Sequence, residues 1–280
     1  MGAVHGVYLK YVGLSALSYA GFLYFSGEVR PDEVVSETAR SLAATTGFPA
    51  IPFSRMIPSA ILGYSAALNG LISILFKLEW GMRMMGKNNK TGQIPMWSYF
   101  VYFPFYLPTM LYTYVHTMKG STKVETEDGV FKSVKVPVAS EVQPGWWVGG
   151  CYADELDKDW GGIVDLTVEF PERCINRSQS YLSCPTWDGV PATPAQLEEC
   201  AFFAVEARKK GDVIVHCAHG RGRSTTVMCA CLVKAGLFKT WQEAFEKGIK
   251  PGRSVCKLNS LMKKALTGWQ TEYVNGKKVV

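Results

Sequence analysis

Val213-Ile214-Val215-His216-Cys217-Ala218-His219-Gly220-Arg221-Gly222-Arg223-Ser224 decides how this 280-residue chain reads. A short apolar run is followed at once by a cysteine, five residues and an arginine. A thiol works as a nucleophile near neutral pH only if its thiolate is stabilised. This spacing lets consecutive backbone N–H groups curl around one point while a following helix adds positive potential. Cys217 is therefore the candidate nucleophile, and the loop Ala218, His219, Gly220, Arg221, Gly222 and Arg223 the candidate phosphate cradle. Gly220 and Gly222 supply backbone freedom, the guanidinium fork of Arg223 suits two phosphate oxygens, and Ser224 opens the helix.

The pattern His216-Cys217-x-x-Gly220-x-x-Arg223-Ser224 resembles the signature of the cysteine-based protein tyrosine phosphatases, and its compact setting resembles the dual-specificity branch. The match is specific because the His, the central Gly, the Ser, the preceding strand and the following helix all agree. Arsenate reductases and rhodanese-related phosphatases share Cys-x5-Arg but are expected to lack this His and Ser pair. The resemblance implies an α/β fold with a central mixed sheet flanked by helices, and a phosphocysteine intermediate. It also implies a catalytic group of Cys217, Arg223, Ser224, His216 and an acid on another loop.

That acid is needed because expulsion of an unprotonated alkoxide from phosphorus is slow, and a positioned donor contributes about 100- to 10,000-fold. Tyr181–Leu197 carries Asp188 among turn-forming residues and resembles the general-acid loop of the dual-specificity branch. Asp188 is the expected acid. Asp165 competes for the role, but it sits in the apolar run 162–166 and reads better as the end of a buried strand.

Strands are expected at 146–150, 163–166 and 213–216. Thr193-Pro194-Ala195-Gln196 offers an N-cap, a proline at the first helical position and a capping-box partner for a helix reaching about Lys210. Further helices are expected over 224–235 before Gly236, from a second capping box at Thr240–Glu243 to about Gly248, and over 258–266. All eight cysteines lie between Cys151 and Cys256, in a domain large enough to need no staples, so they read as reduced thiols. A thiolate nucleophile likewise calls for a reducing compartment, the cytosol or an organelle matrix. Cys184, four residues before Asp188, reads as apolar filler or as a resolving thiol for oxidised Cys217.

The first 120 residues differ in kind, with long uncharged runs. Residues 57–76 carry no charge over the length a helix needs to cross a bilayer, and Gly63, Ala66, Ala67 and Gly70 place small residues four apart. Residues 7–26 form a second candidate span, interrupted by Lys10. Residues 95–118 are uncharged but rich in aromatics and proline, and read equally as a kinked span or as an interfacial segment. Lys77, Arg83, Lys87 and Lys90 form a basic cluster that the positive-inside rule assigns to the cytoplasmic side. If 95–118 crosses, the catalytic half lies on the opposite face, which conflicts with a reducing compartment unless the membrane is an organelle's. Residues 1–30 carry too few basic residues for a transit peptide. Met1-Gly2 hints at myristoylation, but Gly6 stands where Ser or Thr is wanted.

The expected organisation is a helical membrane-anchoring region over 1–118, a polar linker over 119–142, a phosphatase domain over 143–272 and a tail over 273–280. On that division, residues 121–280 fold and act alone. The net charge of +6 comes mostly from the membrane half, which favours an anionic lipid surface over nucleic acid as partner. No zinc-type spacing appears, and the chemistry needs neither metal nor cofactor.

The substrate expected first is a phosphorylated protein, with dual specificity for phosphotyrosine and phosphoserine or phosphothreonine. A phospholipid, either a phosphoinositide or phosphatidylglycerophosphate, is the alternative. His219 and Arg221 would make the cradle more basic, which suits a polyanion, although Ala218 replaces the lysine common among lipid phosphatases of the family. A silent module that captures phosphorylated ligands and a membrane scaffold are further readings. The intact Cys217, Arg223 and Asp188 argue against the first of these, and the basic loop against the second.

Overall fold

The computed structural model describes residues 6–27, 37–47, 53–125 and 131–276. Met1-Gly2 and the last four residues of the expected tail lie outside them. The chain forms two compact units, one of residues 6–80 and 102–105, the other of residues 81–101 and 106 onward.

The first unit contains α1 (Tyr8–Ser26), α2 (Glu37–Thr46) and α3 (Phe53–Lys77). Helices α1 and α3 pack antiparallel through the small-residue stripe. A Cβ on Gly63 would stand 3.2 Å from Phe22, and one on Gly21 would stand 3.1 Å from Leu62. Ser15 Oγ donates to the Ala66 carbonyl at 2.7 Å. Among the described residues, one helix, Ser54–Lys77, is long and apolar enough to cross a membrane, with mean hydropathy 1.6 over its most apolar window. The second expected span, α1, does not meet that measure.

Helix α4 (Met96–Val101) precedes α5 (Phe103–Lys119), which lies in the other unit from Tyr106 on, so the uncharged run 95–118 is two helices broken at Tyr102. Helix α4 folds onto α5, where the Tyr99 and Tyr106 rings lie 4.8 Å apart and Ser98 Oγ is 3.2 Å from the Tyr106 hydroxyl. The residues expected as a linker instead form strands. The strands β1 (Ser121–Glu125) and β2 (Phe131–Lys135) pair antiparallel, and β3 (Ala139–Gln143) joins the main sheet. The polar composition of 119–142 hides strands of five residues, where alternation is too brief to register.

The main sheet adds β4 (Trp146–Gly149), β5 (Gly162–Thr167), β6 (Tyr181–Thr186) and β7 (Val213–His216), in the order β3-β4-β7-β5-β6. Strand β3 runs antiparallel to β4 and the other neighbours are parallel, giving a mixed sheet. Strand β6 was hidden in sequence by its Pro185, which an edge strand tolerates.

Helices cover this sheet: α6 (Pro194–Arg208), α7 (Arg223–Lys234), α8 (Trp241–Glu243, continued as a π-type turn through Ile249) and α9 (Ser260–Trp269). The capping box at Thr193 and Gln196 is complete, with Pro194 at the first turn. Strands β5 and β7 are buried along their whole length, and their C-terminal ends meet under α7. The α/β architecture with a mixed sheet and flanking helices is the one expected.

Candidate active site

The loop between β7 and α7 leaves the sheet at its centre. Two features enforce its tight course. Gly220 adopts φ +64°, and a Cβ there would stand 2.6 Å from the Gly149 backbone. Gly222, also expected to need its freedom, has an ordinary φ of −116° and serves as the N-cap of α7. Arg253 then locks the turn from the far side of the domain. Its Nε donates to the Gly220 carbonyl at 2.8 Å, its Nη2 to His219 O at 3.3 Å, and its Nη1 to Pro137 O and Ser140 Oγ at 2.9 Å. No local signal in the sequence marks Arg253, because its partners come from two distant segments, 137–140 and 219–220.

Cys217 is buried at the base of this loop, 3.5 Å from Ser224 Oγ. Burial pushes its thiol up. The Arg223 guanidinium, the Ser224 hydroxyl and the amides of Ser224 and Arg221 outweigh that and hold it below the ordinary thiol value. A buried thiol poised toward thiolate is what nucleophilic use requires. The other seven cysteines are free and buried. For Cys151, Cys200, Cys229 and Cys231 burial drives the thiol up, or a neighbouring thiol does, as Cys184 does for Cys200. Cys184 itself packs in the main core, the setting of apolar filler.

Arg223 is 2% exposed. Its Nη2 meets Glu169 Oε1 at 2.7 Å, and its Nη1 donates to the carbonyls of Thr186 at 2.6 Å and Leu166 at 3.0 Å. Burial works against its charge, and Glu169, Asp188 and Cys217 more than restore it. Glu169 is itself held by the Val168 amide at 2.9 Å. The fork expected to grip phosphate with both arms therefore has its Nη groups anchored by protein. Its buried Nε makes no hydrogen bond to the described residues. Glu169 was missed in sequence, although two acids three apart, Glu169 and Glu172, directly after a buried strand were a usable signal.

Asp188 follows β6 on a turn fixed by the fully buried Trp187, by Gly189 at φ +81°, and by Asn259 Nδ2 donating to the Gly189 carbonyl at 3.0 Å. Its Oδ1 lies 3.6 Å from Arg223 Nε, and the carboxylate is 42% exposed. The structure thus brings Asp188 to the open side of the cradle. Asp165 is fully buried instead. Burial works against its charge, but Lys87 and His216 hold its carboxyl low, at about 2, so it carries no transferable proton near neutral pH.

His216 and Asp165 belong to a network beside the cradle. His216 Nε2 is 2.6 Å from Glu172 Oε2 and 3.8 Å from Asp165 Oδ1. Burial disfavours its charge, but Glu172 and Asp165 raise it to about 9, so His216 is a cation at neutral pH. The Asp165 and Glu172 carboxylates and the His216 ring lie within 4.8 Å of one another. Here Lys87 supplies a positive charge at Asp165.

His219 departs from the expected basic floor. Its ring meets His116 of α5 edge-on at 4.8 Å and Tyr112 at 5.8 Å. Burial, with His116, Arg221 and Arg223 nearby, lowers it to about 4, so it is neutral near pH 7. With Arg221, Arg253, His116 and Tyr152 it lines a small cleft.

Structures of dual-specificity and protein tyrosine phosphatases are similar to this one. A variant of human DUSP28 is 23% identical, covering 50% of this chain and 99% of that one, with TM-score 0.43. Tk-PTP in its active form is 23% identical, covering 48% and 97%, with TM-score 0.43. PTPMT1 in complex with PI(5)P is 19% identical, covering 50% and 99%, with TM-score 0.41. No family model and no curated protein matches the chain.

Proposed function

We propose that this protein hydrolyses phosphate monoesters through a phosphocysteine intermediate. The observation that carries the reading is the pairing of a buried thiol held low by Arg223 with an Asp188 carboxyl on the open side of the same guanidinium. The Cys217 thiolate attacks phosphorus and the P–O ester bond breaks, with the Asp188 proton passing to the leaving oxygen. Water then attacks phosphorus, its proton returns to Asp188, and the P–S bond breaks to regenerate the thiolate. Arg223 Nε and the loop amides carry the charge that grows on the equatorial oxygens. Ser224 stabilises the thiolate between the two halves of the cycle, and no metal or cofactor takes part.

The substrate of the first reading is a phosphorylated protein with dual specificity. One observation favours a phospholipid instead. On α5, Tyr106, Met110 and Thr113 face inward, and Met110 packs against Cys151, Phe170 and Ala218. Leu107, Leu111, Tyr114 and Met118 stand exposed on the other face, as do Met96, Trp97 and Phe100 of α4. An uncharged aromatic face beside the cradle suits a bilayer interface, and α3 supplies the anchor.

The deciding experiment assays the full chain in detergent or liposomes against phosphotyrosine peptide, phosphothreonine peptide, phosphoinositide and phosphatidylglycerophosphate in parallel. Hydrolysis of any of them that is lost in Cys217→Ser supports the phosphatase reading, and the ranking assigns the substrate. Hydrolysis of none overturns it.

A further inference from the structure

Lys87 lies in the segment the sequence assigns to the membrane half, in a basic cluster expected on the cytoplasmic side. Its side chain is 4% exposed. The ammonium binds Asp165 Oδ2, the Thr167 carbonyl at 2.9 Å and Thr167 Oγ1 at 2.8 Å, which accounts for all three of its N–H bonds.

The loop around it is built for this docking. Asn88 Oδ1 accepts from the amides of Lys90 and Thr91 at 2.8 and 3.0 Å, and the Gly92 amide closes back on the Asn88 carbonyl at 2.8 Å. Gly92, at φ +65°, lies so close to the domain that a Cβ would stand 2.3 Å from Glu172 Cβ and 2.7 Å from the Tyr181 hydroxyl. Its carbonyl accepts the Glu172 amide at 3.0 Å, and Gln93 Nε2 donates to the Glu172 carbonyl at 2.8 Å. The same loop therefore holds Asp165 by its carboxylate and Glu172 by its backbone, the two acids that face His216.

Asp165 is otherwise held by the Tyr181 hydroxyl at 2.9 Å and by the amide and hydroxyl of Thr167 at 2.8 and 2.7 Å. Strand pairing sets Asp165 directly beside His216, the residue before Cys217. The set therefore holds two cations, Lys87 and His216, against two carboxylates, Asp165 and Glu172. Without Lys87 it would carry one excess negative charge in a medium that screens poorly, one strand position from the nucleophile.

We propose that Lys87 is a positioning residue of the active site: by neutralising Asp165 beside His216 it holds the end of β7 in place and keeps excess negative charge away from the Cys217 thiolate. The 81–93 loop is then an integral part of the catalytic unit, and residues 121–280 do not suffice. The proposal rests on the reading of Cys217 as nucleophile but not on any substrate.

The test uses full-length protein in detergent, following alkylation of the Cys217 peptide by iodoacetamide against pH by mass spectrometry, together with kcat and KM on the substrate found above. Lys87→Met is expected to raise the alkylation midpoint by about one pH unit, a tenfold loss of thiolate at any pH below both midpoints, and to lower kcat there with little change in KM. In Lys87→Met/Asp165→Asn, where both charges are gone, the midpoint should return to the wild-type value. A folded Lys87→Met with unchanged midpoint and kcat overturns the proposal, as does a folded double variant that keeps the raised midpoint.

If Lys87→Met does not fold, Asp165→Asn decides. There Lys87 is left uncompensated and the midpoint should fall, and an unmoved midpoint overturns the proposal. Alkylation needs no turnover, so a chain that hydrolyses none of the four substrates defeats the phosphatase reading while this measurement still stands.

Discussion

Arg223 and Lys87 are both buried cations facing carboxylates at the C-terminal ends of the parallel strands, yet their donors are used differently. Lys87 has every N–H bonded to protein. Arg223 has its Nη groups bonded to Glu169, Leu166 and Thr186, while its buried Nε bonds to none of the described residues. A buried donor without a partner is costly, and proteins keep one where a ligand completes it. The contrast matches the roles we propose, a cation that organises and one that binds. It also shows that a buried ion pair is not by itself the mark of a catalytic residue.

The comparison can be broken first at Cys217, the proposed nucleophile. Cys217→Ser should lower turnover by roughly 1,000-fold or more while phosphate-analogue binding persists, since the cradle is intact. Single-turnover assays with binding by calorimetry check this, and residual turnover above a few per cent would defeat the mechanism.

Arg223→Lys comes next. A point charge cannot keep three Nη contacts and also offer Nε, so kcat/KM should fall by about 100-fold, with kcat and KM both affected. If Arg223 merely organised, the role we propose for Lys87, the thermal midpoint would move and KM would not. Glu169→Gln sharpens the same point. It leaves the guanidinium short of its counter-charge and should destabilise the fold by about 3 kcal/mol in urea titrations.

Asp188→Asn should slow alkyl phosphate hydrolysis by about 100-fold and activated aryl phosphates far less, because good leaving groups need little protonation. Equal slowing would remove Asp188 from the acid role. Asp165, buried and held at about 2, is no substitute for it.

The smallest effect is on stability against pH. His216 rises from an ordinary 6.5 to about 9 in the fold, so its stabilisation is full below about 6.5 and is lost as pH climbs through 9. Asp165 falls to about 2, so its share is present above an ordinary value near 4 and is lost as pH drops toward 2. Melting temperatures should therefore decline above pH 6.5, and His216→Asn should flatten that alkaline limb. An unchanged slope in the variant would show that His216 is not the group responsible.

Much of the loop around Cys217 was legible because its determinants are local. Strand β7, the Cys217 turn, the Gly220 conformation and helix α7 follow one another without a gap, and the capping box of α6 closes within four residues. Asp188 was legible for the same reason, as a turn residue in a characteristic stretch. The neutral state of His219 was not, because it depends on burial against His116 and Tyr112 of a helix about a hundred residues earlier. The same holds for the uncharged run 95–118. Composition cannot distinguish a membrane face from a protein face, and α5 has its inward face on the Ala218 loop.

By itself, then, the order of residues determined where the thiol, the arginine and the acid lie in the chain and which helices and strands carry them, since backbone geometry and capping act over a few residues. Only the tertiary structure decided how those groups are charged and held. Lys87 meets Asp165 across 78 positions, Glu169 meets Arg223 across 54, and Arg253 reaches the Gly220 carbonyl across 33. Burial and counter-charge set the ionisation of these groups, and both depend on which distant segments the fold brings together.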